Sequence, residues 1–316
     1  MSGPYLSFPD ADDVFWVDAP DGVTQPVYAL NGPADAPAVL FGHANGFCAG
    51  SYAPFLKELA RHHRVFAFDA RGHGASRWPN GSLAELFTLD RFADDLGRIA
   101  GAVRTRLGDA PLAYVGHSLS GAAALMLETK ASPHWAGIML FEPPVFPPKD
   151  ATASKEASRL EGGTARRRAD WSSPNSFFDR LKGSATFQNF TDEMLRAHCS
   201  ASLRPLADGG FTLACPPAVE AAIYGTNRIA ALWAKCGEIA ARVDLVSSDP
   251  TLPTPSWSSL TISALAERLS HSSLTAMPKA GHLMFFEQPG ESLALITKRL
   301  REIAERVIEA PRTLLT

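Results

Sequence analysis

A serine is a poor nucleophile at neutral pH until a base takes its proton and an acid holds that base in place. Ser118 has the surroundings such chemistry needs. The apolar run Leu112 to Val115 meets Gly116, His117 and Ser118, then Ser120 and Gly121, then the helix-forming run Ala122 to Leu127. A serine on a sharp strand-to-helix turn is a nucleophile elbow. The turn strains the backbone at Ser118, so the residues two before and two after must be small, as Gly116 and Ser120 are. The helix that follows aims its N-terminus at the site and favours the negative charge of acyl transfer. A plain Gly-Ser turn opening an ordinary helix is the alternative reading. The candidate base is His282, in the loop Pro278 to Leu283 beyond the last strand signal. His117 adjoins Ser118, but on such a turn its ring points away from the nucleophile and reads as structural. His43 and His73, in loops at strand ends, read as braces for those loops.

Alternating elements must position these residues. Val14–Val17 and Pro26–Leu30 predict a lead-in hairpin turning at Asp21 and Gly22. Buried strands are expected at Ala38–Phe41 and Gly137–Phe141, and further strands at Val65–Phe68, Val243–Ser247 and Ser273–Met277. Helices are expected at about Tyr52–Arg61, Leu89–Leu107, Trp257–Leu269 and Glu291–Glu309. Leu89–Leu107 carries Phe92, Leu96, Ile99 and Val103 at helical spacing, and the closing helix turns Leu295, Leu300, Ile303 and Val307 inward. Strands regularly alternating with helices predict a mostly parallel sheet covered on both faces. The pattern breaks between Pro143 and Cys236. There strand signals vanish and short helical pieces appear, at Asp192–Cys199 and Pro217–Tyr224, which predicts an insertion. Residues 1–142 and 237–316 then form the two parts of one core, with 143–236 a helical cap. Arg166, Arg167 and Arg168 within it read as a solvated helix face, with contact to an acidic substrate as the lesser option.

Of 316 residues, 46% are hydrophobic and 20% charged, an ordinary globular balance. A net charge of −3 argues against nucleic acid or an anionic membrane as the main partner. The start of the chain shows no basic or apolar leader, and no apolar run is long enough to span a membrane. Cys48, Cys199, Cys215 and Cys236 are scattered without metal-ligand spacing, which suits free thiols in a reducing cytoplasm. Cys48 falls close enough to Asn45 to lie near a pocket there.

Four motifs stand in order: His43 to Phe47, Asp69 to Ser76, Gly116 to Gly121, and Gly281-His282. Together they resemble the α/β-hydrolase family over roughly residues 36–142 and 240–300. The resemblance implies an α/β-hydrolase fold with a mostly parallel sheet of eight strands. It is specific for the fold and a Ser–His pair and weakly specific for substrate, because the family hosts esterases, lipases, thioesterases, lactonases and carbon–carbon hydrolases. Residues 171–224 are similar to the cap of a subgroup that includes fungal peroxisomal and toxin-pathway hydrolases.

The resemblance also implies an oxyanion hole built from the backbone amides of Leu119 and Asn45, with Ala44 standing where the family usually has glycine. For the acid it offers two positions. Asp249, in the loop after Val243–Ser247, falls about two residues early and lacks the customary glycine. Glu142 ends the strand Gly137–Phe141, where Pro143 should hold it extended, and it is favoured slightly. Phe47, His117, Phe177, Phe178 and Trp233 are candidate substrate contacts, and Phe187 and Phe190 candidate lining. The aromatic residues among them could equally be core.

The expected function is hydrolysis of a carboxylic ester or thioester of a small to medium apolar substrate through an acyl-enzyme. Lactone or carbon–carbon hydrolysis would use the same groups, and a ligand-binding receptor with an idle triad is a third class. The haloalkane-dehalogenase and epoxide-hydrolase branches are disfavoured, since they need aspartate where Ser118 stands. A small-molecule substrate, no metal or organic cofactor and a possible homo-oligomer complete the expectation.

Overall fold

The computed structural model describes residues 5–34, 36–130, 135–225 and 229–309. Its strands are β1 (Asp13–Asp18), β2 (Thr24–Leu30), β3 (Ala38–Gly42), β4 (Val65–Phe68), β5 (Leu112–His117) and β6 (Gly137–Phe141), then β7 (Asp170–Trp171), β8 (Leu203–Pro205), β9 (Phe211–Leu213), β10 (Val243–Ser247) and β11 (Ser272–Ala276). Eight of them make one sheet in the order β1-β2-β4-β3-β5-β6-β10-β11. The β1–β2 and β2–β4 pairs are antiparallel and the rest parallel. Gly22 takes the positive φ of 83° that the hairpin turn requires.

The helices are α1 (Ala53–Ala60), α2 (Leu83–Leu86), α3 (Leu89–Leu107), α4 (Leu119–Glu128), α5 (Ala151–Ala165), α6 (Pro174–Lys182), α7 (Asp192–Ala201), α8 (Pro217–Gly225), α9 (Ile229–Lys235), α10 (Trp257–Arg268), α11 (Met284–Glu287) and α12 (Pro289–Glu309). Helices cover both sheet faces, so β3, β4 and β5 are buried along their whole length and need no polar alternation. Phe92, Leu96, Ile99 and Val103 of α3 pack into one core with Leu125 of α4. Leu56 and Leu59 of α1 share the other core with Ile296, Leu300 and Ile303 of α12. The inward face of α12 differs from expectation by one residue: Ile296 is buried and Leu295 only half-buried, because neighbours on a helix are turned about 100° apart. The Val307 side chain lies outside the described residues.

The segment between β6 and β10 carries α5 to α9, as the loss of strand signals suggested, but strands are present too. β7, β9 and β8 form a small antiparallel sheet. At two or three residues each they are too short to display an alternating pattern.

Register explains where a site can form. Gly42 pairs Gly116, His117 pairs Phe141, and Phe141 pairs Val246. The carboxyl ends of β3, β5, β6 and β10 therefore stop at one level, and the loops carrying His43–Phe47, Ser118, Glu142 and Ser248 leave the sheet side by side. Ligands of open α/β sheets bind at that edge.

Candidate active site

Ser118 follows β5 and caps α4 with φ 52° and ψ −114°. A positive φ is costly for a residue with a Cβ, and the surroundings hold it there. The Ser118 amide donates to Phe141 O (2.9 Å), Tyr114 Oη donates to Ser120 O (3.0 Å), and Ser120 Oγ donates to His43 O (2.6 Å). A Cβ on Gly116 would lie 2.7 Å from the Tyr114 ring and 3.0 Å from the Gly121 amide nitrogen, so only glycine fits.

His282 Nε2 lies 3.2 Å from Ser118 Oγ, and its Nδ1 lies 2.6 Å from Glu142 Oε2. An ionised carboxylate only accepts, so Nδ1 carries the proton and Nε2 turns its lone pair to the serine hydroxyl. Glu142 is fully buried. Ser248 donates to its Oε1 from both amide (2.8 Å) and hydroxyl (2.6 Å), and Ser256 Oγ donates to Oε2 (2.8 Å). Burial pushes the Glu142 carboxyl up, but His282 and the Ser248 donors outweigh it and hold it below the usual carboxylate range. Glu142 is not extended as Pro143 predicts. Its φ is 45°, because its amide is bound to Val246 O (2.9 Å) and its carboxylate is held by four donors, contacts that override the local preference.

Asp249 is not brought to His282. Its carboxylate caps its own turn, accepting from the Thr251 amide and hydroxyl and from the Lys279 amide (2.8, 2.6 and 2.7 Å). Ser248 and Ser256, which hold Glu142, escaped the sequence reading; a serine beside Asp249 carries no signal without the strand register.

Ser118 opens onto a cavity of about 620 Å³, within the usual range for small-molecule sites. Asn45, Leu119 and His282 share its wall with Phe47 and Phe187. Leu119 begins α4, so its amide has no acceptor within the helix. The Asn45 side chain donates to Glu220 O (3.1 Å), tying two residues of the cavity wall together. Phe146, Leu160, Ile223 and Trp257 supply apolar surface.

Several aromatic candidates are elsewhere. Phe177 packs on the Trp171 ring (4.7 Å) and Phe178 lies under the Arg196 guanidinium (4.1 Å), while Phe190 stacks on Phe286 (4.6 Å). Trp233 packs against the core on the α3 side. Phe177, Phe178 and Phe190 join the core that holds Leu56 and Leu300, so their rings fill the interior instead of lining the cavity. His117 is buried behind the nucleophile, off the wall, held by Tyr52 Oη (2.7 Å) and His282 O (2.9 Å). Burial and the neighbouring His282 push it down to about 3.

His43 and His73 do brace loops. The Ala70 amide donates to His43 Nε2 and the Gly46 amide to His73 Nε2, both at 3.0 Å. The arginine run is not one solvated face: it follows the end of α5, and Arg167 turns onto the cavity wall as an ion pair with Glu220 (2.6 Å). Cys48 is buried off the main cavity, and burial pushes its thiol up to about 12.

The family model for the alpha/beta hydrolase family matches residues 39–295. The chain belongs to that family, and so to a superfamily of hydrolytic enzymes. Sequence relatives include the 3-oxoadipate enol-lactonase 1 of Acinetobacter baylyi, 32% identical over 98 residues (31% of this chain and 34% of that protein). The magnesium-chelatase 30 kDa subunit of Rhodobacter capsulatus is 35% identical over 96 residues, 30% of this chain and 31% of that protein. The matched stretch thus spans about a third of either relative. Among solved structures, E-2-(acetamidomethylene)succinate hydrolase superposes with a TM-score of 0.71 at 19% identity, covering 90% of this chain and 98% of that one. A peroxisomal α/β-hydrolase of Saccharomyces cerevisiae gives 0.69 at 17% identity, covering 99% and 91%. At such identities the likeness is one of fold. No helix of the described residues is long and apolar enough to cross a membrane.

Proposed function

We propose that the protein is a serine hydrolase that cleaves a carboxylic ester or thioester of a small to medium apolar substrate. The observation that carries this reading is the unbroken chain Ser118 Oγ–His282 Nε2 (3.2 Å) and His282 Nδ1–Glu142 Oε2 (2.6 Å), which opens on a largely apolar cavity. Ser118 attacks the carbonyl carbon while His282 takes its proton. The Leu119 and Asn45 amides hold the oxyanion, a contribution of about 10²–10³ in rate for each donor. His282 then protonates the leaving group and Glu142 stabilises the imidazolium. Water, activated by the same imidazole, resolves the acyl-enzyme. Residues 143–236 act as the cap over the core formed by 1–142 and 237–316, and their Phe146, Leu160 and Ile223 set the size of the acyl group.

The test is a series of p-nitrophenyl esters of rising acyl length, with Ser118→Ala beside the wild type. Turnover that peaks at one length and is lost in the variant supports the reading. Equal rates at every length sink it. Lactone hydrolysis is the second reading, favoured by the Acinetobacter relative's enol-lactonase name. Faster opening of lactones than of open-chain esters would select it.

A further inference from the structure

The cavity wall does not include two buried side chains that join its two halves. Tyr52 and His117 are both fully buried. The Ala44 amide donates to Tyr52 Oη (3.2 Å), Tyr52 Oη lies 2.7 Å from His117 Nδ1, and His117 Nε2 lies 2.9 Å from the carbonyl oxygen of His282. Donor logic leaves one assignment. A backbone carbonyl only accepts, so His117 carries its proton on Nε2 and its Nδ1 must accept the Tyr52 hydroxyl. Every hydrogen bond in the chain then points the same way, from Ala44 through Tyr52 and His117 to His282, and bonds so aligned reinforce one another in a dry interior. Phe285 and Phe286 pack on the Tyr52 ring with centroids 5.7 and 4.7 Å away, and exclude water from it.

We infer that Tyr52 and His117 are positioning residues that hold the loop of Asn45 and the loop of His282 in one register. Ala44 is bonded directly to Asn45, and His282 carries the base on the same residue whose carbonyl is tied. A slip of either loop would lengthen the contact of the base with Ser118 or misplace the Asn45 amide. Neither Tyr52 nor His117 touches substrate. The inference rests on the serine-hydrolase reading.

The experiment uses the full chain with Tyr52→Phe, His117→Gln and the double variant. It reads kcat and KM on the best p-nitrophenyl ester, affinity for a trifluoromethyl ketone of the same acyl length, and the unfolding midpoint. The ketone forms a tetrahedral adduct and so reports transition-state geometry rather than substrate binding. Misplacement of this size is expected to lower kcat by about 10- to 100-fold, with KM within about twofold and ketone affinity reduced alongside kcat. The double variant should be no slower than the worse single one, because both act through one chain. Folded single variants with wild-type kcat, or losses that multiply in the double variant, would overturn the inference. If His117→Gln does not fold, Tyr52→Phe, which removes one oxygen, decides alone. Wild-type protein inactive on every ester removes the serine-hydrolase reading and this inference with it, whereas an active wild type with unaffected variants removes only this one.

Discussion

An imidazole that must accept and return a proton needs an acid whose own charge does not move, and the two carboxylates near the end of the sheet differ in that respect. Glu142 is buried, accepts three hydrogen bonds from Ser248 and Ser256, and meets His282 Nδ1 at 2.6 Å. Asp249 is half-buried and engaged with Thr251 and Lys279. Glu142→Gln is therefore expected to lower kcat by about 10³–10⁴, the scale found when a triad acid is made an amide. Asp249→Asn should leave kcat within about twofold, as capping of an exposed turn touches stability by a few tenths of a kcal/mol to about 1 kcal/mol at most. Steady-state rates on one ester distinguish the two, and equal losses would reassign the acid. Sequence alone left this choice open because both residues follow a strand signal and precede His282 in the chain. What separates them is register: the pairing of Phe141 with Val246 sets Glu142 beside Ser248, and that pairing is long-range. Phe177 and Phe178 were opaque for a similar reason, since an aromatic side chain in an insertion reads the same whether it lines a cavity or fills a core.

At the scale of elements, the elbow depends on how closely β3 approaches the start of α4. Gly42 ends β3, and a Cβ there would stand 2.4 Å from Tyr114 Oη and 2.6 Å from Ser120 Cβ. Both groups are tied to the turn, Tyr114 through Ser120 O and Ser120 through His43 O. Gly42→Ala is expected to cost about 1–3 kcal/mol of stability, as overpacking does. It should also lower kcat, since relief of the clash moves either the Ser118 turn or the Asn45 loop. Urea unfolding paired with ester kinetics checks both, and a variant of unchanged stability would show that the close approach is not a constraint. Elements of this kind were well marked in the sequence. The Leu89–Leu107 helix and the Val65–Phe68 and Val243–Ser247 strands keep their expected bounds, since long periodic or wholly apolar runs leave few alternatives. β7, β8 and β9 had no such signal, being held by partners distant in sequence. The positive φ of Glu142 runs against its own local rule, and only its tertiary hydrogen bonds account for it.

Across the whole molecule, the interior holds imidazoles that folding keeps neutral. Burial pushes His43 down to about 4 and His73, His117 and His198 down to about 3. Each is braced in the neutral form: His43 Nε2 accepts the Ala70 amide, His73 Nε2 the Gly46 amide, and His198 Nδ1 faces the hydroxyls of Ser51 and Ser202. In the unfolded chain a histidine titrates at about 6.5. Above that value both states are neutral and stability is at its full level. As pH falls below it, only the unfolded state gains protons, so stability falls until the folded values are reached near 4 and 3. At pH 5 the loss is about 2 kcal/mol for each imidazole. Glu128, raised by burial to about 7, works in the opposite sense over part of this range and offsets some of the loss. Glu142, lowered on folding, adds its own loss only further down, below the ordinary carboxylate range. Asp69, Glu220 and Glu287 are likewise raised by burial and offset part of the loss, but carboxyls start from about 4 and imidazoles from about 6.5, so the decline on leaving neutrality belongs to the imidazoles. The urea midpoint should therefore drop as pH falls from 7 through 6, well before carboxylates titrate in the unfolded chain, with a net uptake of protons on unfolding in that interval. A midpoint that stays level across that interval would show that the buried imidazoles do not set the pH dependence of stability.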